Sequence, residues 1–230
     1  FTGSFQPEVI IPLIETYIGG LPASGKKFSY KDNKVRPVNG KKELTFYKGA
    51  EQKSFILSIY HGELPYNEDL ALKASALTEV LNIRIIEELR EKVQGIYGGG
   101  IFGGLNKVPY QSFQLIVQLP CGPEKVDTLL KALDHEIASV IKNGPSEQTL
   151  NKVKQQWRES QKQQLKENGS WSSELLAAKT EGKNIDRFVN FEKYIDKLTT
   201  KDIQQAAALL LNGKNRYTAV LMPADWEKKK

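Results

Sequence analysis

Leu89-Arg90-Glu91-Lys92-Val93-Gln94-Gly95-Ile96-Tyr97-Gly98 joins two kinds of sequence. Upstream, Leu70, Ala74, Leu77, Leu81 and Leu89 recur at helical spacing behind Asn67, a good N-cap, with Glu68 and Asp69 in the first turn. The pattern predicts a largely buried helix from Asn67 to about Lys92. Downstream, Tyr97 to Phe102 and Gln111 to Leu119 read as strands. In the second, Phe113, Leu115, Val117 and Leu119 face one way and Gln114 and Gln118 the other, which describes a sheet with one covered face. Arg90 falls in the last turn of the helix and Tyr97 just inside the next strand. That placement can aim a cation and a phenol at one spot beside a sheet edge, where they can hold the carbonyl oxygens of an extended peptide. Neither group can cleave a peptide by itself.

The remaining elements follow from the same periodicities. Pro7 suits a first helical turn; Val9, Ile10, Leu13, Ile14, Tyr17 and Ile18 repeat on one face until Gly19-Gly20. Residues 22–43 form a polar connector. Strands are expected at Leu44–Lys48 and Lys53–His61, with a turn around Gly49. After Pro123 comes a helix with Val126, Leu129, Leu130, Leu133, Ile137 and Ile141 as its buried stripe, broken at Asn143-Gly144-Pro145. Ser146 caps a polar helix with the narrow stripe Leu150, Val153, Trp157 and Leu165. Shorter helices are expected near 171–181, 186–197 and 200–211, the last opened by a Thr199/Asp202 capping box. Asn212-Gly213 stops it, and Tyr217–Met222 makes a closing strand. This order is α+β, with a mainly antiparallel sheet and the helices at 67–92 and 123–142 packed on one face.

The 230 residues suffice for one large domain or two small ones. The opening Phe1-Thr2-Gly3-Ser4-Phe5 is neither a methionine start nor a signal peptide, so the chain is expected to be part of a longer one. There is no apolar run near eighteen residues, so no membrane span is expected. The net charge of +6 is dispersed, and no aromatic-basic stripe accompanies it, which argues against a nucleic acid module. Cys121 is the one cysteine; it rules out an internal disulfide and is expected to be a packed thiol. His135-Glu136 opens like His-Glu-x-x-His, but Ser139 stands where the second zinc-binding histidine is needed. His61 has no ligand spacing. A Ser–His–Asp arrangement need not be local in sequence, yet nothing such as Gly-x-Ser-x-Gly supports one. Gly98 to Gly103 has the form Gly-x-Gly-x-x-Gly, but a helix precedes it and a strand follows, the reverse of a dinucleotide site. Glycines in a strand mark a bulge or the close approach of another backbone, and both suit an edge that accepts a peptide.

Leu89-Arg90-Glu91-Lys92 through Gly95-Ile96-Tyr97-Gly98 resembles the Arg/Tyr segment of the pitrilysin-like (insulinase, M16) zinc metallopeptidases. Gly3-Ser4-Phe5 before the helix ending at Leu21-Pro22, Asn168-Gly169-Ser170-Trp171 and Leu198-Thr199-Thr200-Lys201-Asp202-Ile203 extend the resemblance over nearly the whole chain. The resemblance implies a single M16-type α+β domain over residues 1–230, one of several homologous domains that pair into a chamber. The family's inverted zinc motif, His-x-x-Glu-His, is absent here. The implied role is therefore the non-zinc-binding, C-terminal-type domain of a longer peptidase, facing a homologous zinc-binding domain on the same chain or a separate subunit. Carried over by position, Arg90 and Tyr97 bind the substrate backbone near the scissile bond, and zinc belongs to the partner domain. The implied partner is a peptide in extended conformation. Similarity to periplasmic-type members implies the bacterial cell envelope. The alternative of the same fold is an inert structural domain like those in respiratory complexes; the intact Arg90 and Tyr97 weigh against it.

Overall fold

The computed structural model describes residues 1–26, 29–85, 87, 89–90, 96 and 98–229. Among the described residues, five strands form one sheet: β1 (Lys41–Tyr47), β2 (Ser54–Glu63), β3 (Gly100–Asn106), β4 (Ser112–Cys121) and β5 (Arg216–Met222). Their spatial order is β1-β5-β2-β4-β3. β5 runs parallel to β1 and antiparallel to β2, and the β2–β4 and β4–β3 pairs are antiparallel. The sheet is thus mainly antiparallel, with one parallel pair at its edge. Residues 48–53 must pass over the end of β5 to connect β1 with β2. Backbone bonds tie them there, Lys48 N–H to Met222 O and Ala224 N–H to Gly49 O, both at 2.9 Å.

The helices are α1 (Pro7–Ile14), α2 (Glu68–Ile85), α3 (Val126–Asn143), α4 (Glu147–Gln164), α5 (Asn168–Glu181), α6 (Asp186–Val189), α7 (Phe191–Ile195) and α8 (Thr200–Leu210). Leu89 and Arg90 lie in helical backbone past α2, while Lys92 is outside the described residues. Side-chain chemistry sets several starts. Asn67 Oδ1 accepts the Leu70 amide, Ser146 Oγ accepts the Thr149 amide, and Thr199 and Asp202 form a reciprocal capping box. The helix expected over 186–197 is two short ones, because the backbone at Asn190 turns out of helical geometry. β1 starts three residues earlier than expected: Lys41, Lys42 and Glu43 pair with Arg216, Tyr217 and Thr218, and an edge strand leaves their charges in water. The strand expected at 97–102 is shifted to Gly100–Asn106.

The core lies on one face of the sheet. Ile56, Leu119 and Val220 share one cross-strand row and Ser58, Val117 and Ile101 the next. They pack with Leu77 and Leu81 of α2, Leu129 and Leu133 of α3, and Ile203 and Ala207 of α8. α3 buries Val126, Leu129, Leu133 and Ile137 of the expected stripe and adds Val140; Leu130 and Ile141 are half-buried. The other face is open toward the β1 and β3 edges. There Leu44, Phe46, Phe102 and Leu221 are each between 41% and 55% exposed. α1 keeps the expected apolar repeat but buries none of it, and no described residue before Ser54 is buried.

Candidate functional site

The segment between α2 and β3 carries the two residues singled out by sequence. Arg90 is exposed. Among the described residues it has no carboxylate partner; Glu87 reaches Lys152 instead, at 3.5 Å. Arg90 lies in helical backbone, as expected. Tyr97 lies outside the described residues. Its neighbour Ile96 is buried and forms an antiparallel bridge to Cys121 at the end of β4. The chain thus rejoins the sheet at that end.

The glycines that follow answer to the sheet itself. Gly99 and Gly103 have φ of +96° and +110°, and a Cβ at either would stand 2.0 or 2.1 Å from the carbonyl oxygens of Gln118 and Gln114. The other backbone they admit is β4. Between them, Asn82 of α2 accepts the Ile101 amide at 2.7 Å and donates to its carbonyl at 3.0 Å. One amide side chain thus occupies the outward bonding pair of the edge strand at Ile101, so a peptide cannot add there as a further strand without displacing it. The sequence signal for this brace is a lone Asn inside an apolar helix.

The incomplete metal motif is part of the framework. Glu136, 4% exposed, accepts from Arg84 Nε of α2 at 2.6 Å, and Arg84 also reaches Ser139 Oγ at 3.2 Å. Two of its positions thereby clamp α3 to α2, while His135 projects into solvent. His61 is 4% exposed, lies 4.6 Å from the Tyr217 ring, and leaves Nε2 without a hydrogen-bond partner. Burial lowers its pKa, so it is neutral at neutral pH. Neither imidazole hydrogen-bonds to a serine among the described residues. Burial pushes the Cys121 thiol up to about 11, which leaves it unreactive. No group of three or more His, Cys, Asp or Glu side chains among the described residues could hold a metal ion.

A cavity of about 460 Å³ adjoins His61, lined also by Arg36, Tyr110 and Gln114. Arg36 bonds to Glu63 at 2.7 Å and to Asp32, and its guanidinium lies 3.5 Å above the Tyr110 ring. That pairing holds Asp32 down to about 2. The same contacts strap the connector before β1 onto the far end of the sheet.

Comparison with known proteins agrees with this architecture. The periplasmic protease PqqL from Escherichia coli superposes with a TM-score of 0.80 at 19% identity over 96% of this chain and 24% of that one. A protease from Helicobacter pylori gives 0.75 at 14% identity over 96% of this chain and 54% of that one. The peptidase M16 inactive domain from Pseudomonas fluorescens gives 0.69 at 19% identity over 94% and 50%. The chain thus spans between about a quarter and a half of these relatives. No curated protein matches its sequence. The family model for the peptidase M16 inactive domain matches residues 1–157. The chain therefore belongs to the peptidase M16 family, as a domain of its inactive type.

Proposed function

We propose that this domain is the substrate-gripping, non-zinc-binding part of a longer M16 zinc metallopeptidase that hydrolyses peptide bonds. The observation that supports the reading is Arg90: exposed, in helical backbone past α2, with no carboxylate partner among the described residues. A structural arginine in that position would be expected to resemble Arg84, which is fully engaged by Glu136 and Ser139. Arg90 holds the substrate backbone by its fork of N–H donors. Tyr97 donates its hydroxyl to the carbonyl oxygen that gains charge in the reaction. Zinc, bound by a homologous partner domain, supplies the activated water. The partner lies on the same chain or on a separate subunit. The periplasmic relative supports an envelope location.

Two measurements test the reading. The 230-residue chain, dialysed, is expected to retain no stoichiometric zinc and to leave a quenched fluorescent peptide uncut. One tightly held zinc per chain, with cleavage lost to chelator and restored by zinc, would overturn the division of labour. In the complete enzyme, Arg90→Lys keeps the charge but loses the planar fork, and kcat/KM is expected to fall about tenfold or more. Unchanged kinetics in that variant would favour an inert structural domain.

A further inference from the structure

We propose that the cavity between α2 and the helices that follow α3 is a binding site for an organic cation, an ammonium or guanidinium carried on an apolar stem. The proposal goes beyond the gripping role of Arg90 and does not depend on it.

The cavity has a volume of about 540 Å³, within the range of small-molecule sites. Glu79 lines it from α2, Trp157 from α4, Glu174 from α5, Phe188 from α6, and Phe191 and Tyr194 from α7. The rings are held by one another. Trp157 and Phe191 have centroids 5.7 Å apart, and Trp171 meets Phe188 edge-on at 5.1 Å. An apolar stem thus finds a largely aromatic, preorganised wall.

The charges decide what the stem carries. The two cations that line the cavity are already matched. Arg187 pairs with Glu68 at 2.9 Å and with Asp69, and Lys183 pairs with Glu181 at 3.3 Å. Glu79 and Glu174 are half-buried, and among the described residues neither has an ion pair or a hydrogen bond. Two carboxylates are therefore uncompensated in one cavity of a chain whose net charge is +6. A neutral apolar ligand would strip water from them and return nothing. An anion would be repelled. A bare metal ion would lack ligands, since no three His, Cys, Asp or Glu side chains among the described residues could hold one. An organic cation answers both the rings and the carboxylates. The cavity already shows the mode: the Arg187 guanidinium lies 4.5 Å from the centre of the Tyr194 ring. Such a cation is either a free amine or the side chain of lysine or arginine on a peptide.

The test is a ligand-observed NMR titration of the complete enzyme with three probes: cadaverine, the diol of the same chain length, and Nα-acetyl-lysine methylamide. Cadaverine is expected to bind with a Kd on the order of a millimolar or tighter, and the diol about tenfold more weakly or not at all. Glu79→Gln with Glu174→Gln keeps the shape of the cavity and is expected to weaken cadaverine about tenfold or more at an unchanged melting temperature. Ser75 is exposed, lines the cavity and stands one turn before Glu79. Ser75→Arg supplies a guanidinium to Glu79 from within the chain and is expected to abolish binding. An amine that reaches zinc elsewhere in the enzyme contributes equally in wild type and variants, so the difference reports this cavity. Binding of the lysine amide identifies a peptide side chain as the natural source of the cation; binding of cadaverine alone identifies a free amine. No binding of either amine, equal affinity for the diol, or an affinity unchanged in both variants overturns the proposal.

Discussion

The two faces of this one sheet are made by the same five strands and are treated oppositely. On one, Ile56, Val117 and Leu119 are fully buried under α2, α3 and α8. On the other, Phe46 of β1 and Leu221 of β5 remain 52% and 41% exposed. Alternation along a strand makes this possible, since adjacent side chains point to opposite faces. The contrast separates two kinds of apolar residue. Those under the helices are there for stability. Those on the open face contribute little to the fold of this chain. Polar groups divide similarly: Arg84 is consumed by the framework, while Arg90, six residues on, has no carboxylate partner among the described residues.

If this division is right, perturbing the covered face should cost most. Leu133 is 1% exposed in the centre of α3, so Leu133→Ala should destabilise by about 3–5 kcal/mol in chemical denaturation. An unchanged midpoint would mean that the packed face is misassigned. Next comes the clamp between α2 and α3. Glu136→Ala leaves Arg84 facing the protein interior without its counterion and should cost about 3 kcal/mol, at the low end for a buried pair because Arg84 is partly exposed. His135→Ala, beside it and in solvent, should have almost no effect.

His61 offers a smaller, pH-dependent test. Its folded-state pKa lies below the ordinary 6.5, so the unfolded chain binds the proton more readily. Its contribution is fully present above about pH 6.5 and is lost as the pH falls from there toward the folded value. The melting temperature should therefore drop over that window, and His61→Gln should flatten the slope. An identical slope in the variant would show that the imidazole is solvated. The smallest effect belongs to the open face. Leu44→Thr should change stability by no more than about 0.5 kcal/mol, because Leu44 is already 55% exposed. A loss near that of Leu133→Ala would erase the distinction between the faces.

Much of the covered face was legible in the sequence, because periodicity is a local property. The stripe Leu129, Leu133 and Ile137, the alternation along β4 and the Thr199/Asp202 box each follow from residues a few positions apart. What was not legible depends on distant pairing. Nothing near Tyr217 says that β5 inserts between β1 and β2, since Phe55 and Leu221 meet across more than 160 residues. The same holds for Asn82 bracing Ile101 and for Arg84 seeking Glu136. Glycines 99 and 103 were read as room for a ligand backbone, and the backbone they admit is β4. The apolar repeat of α1 was read correctly as a pattern, but periodicity names an apolar face without naming what covers it. The roles of Arg90 and Tyr97 came from resemblance; Arg90 lies in helical backbone past α2, and Tyr97 lies outside the described residues.

On the proposed reading this domain contributes to turnover through Arg90 and Tyr97, while its covered face supplies stability. Steady-state kinetics of Tyr97→Phe in the complete enzyme, with zinc content and melting temperature measured on the same samples, tests it most directly. The substitution removes one hydroxyl and keeps the ring. On that reading kcat falls roughly 10²–10³-fold, the cost of losing one donor to a developing oxyanion, at unchanged zinc content and melting temperature. Wild-type turnover, or a loss that merely follows a lowered melting temperature, would contradict it.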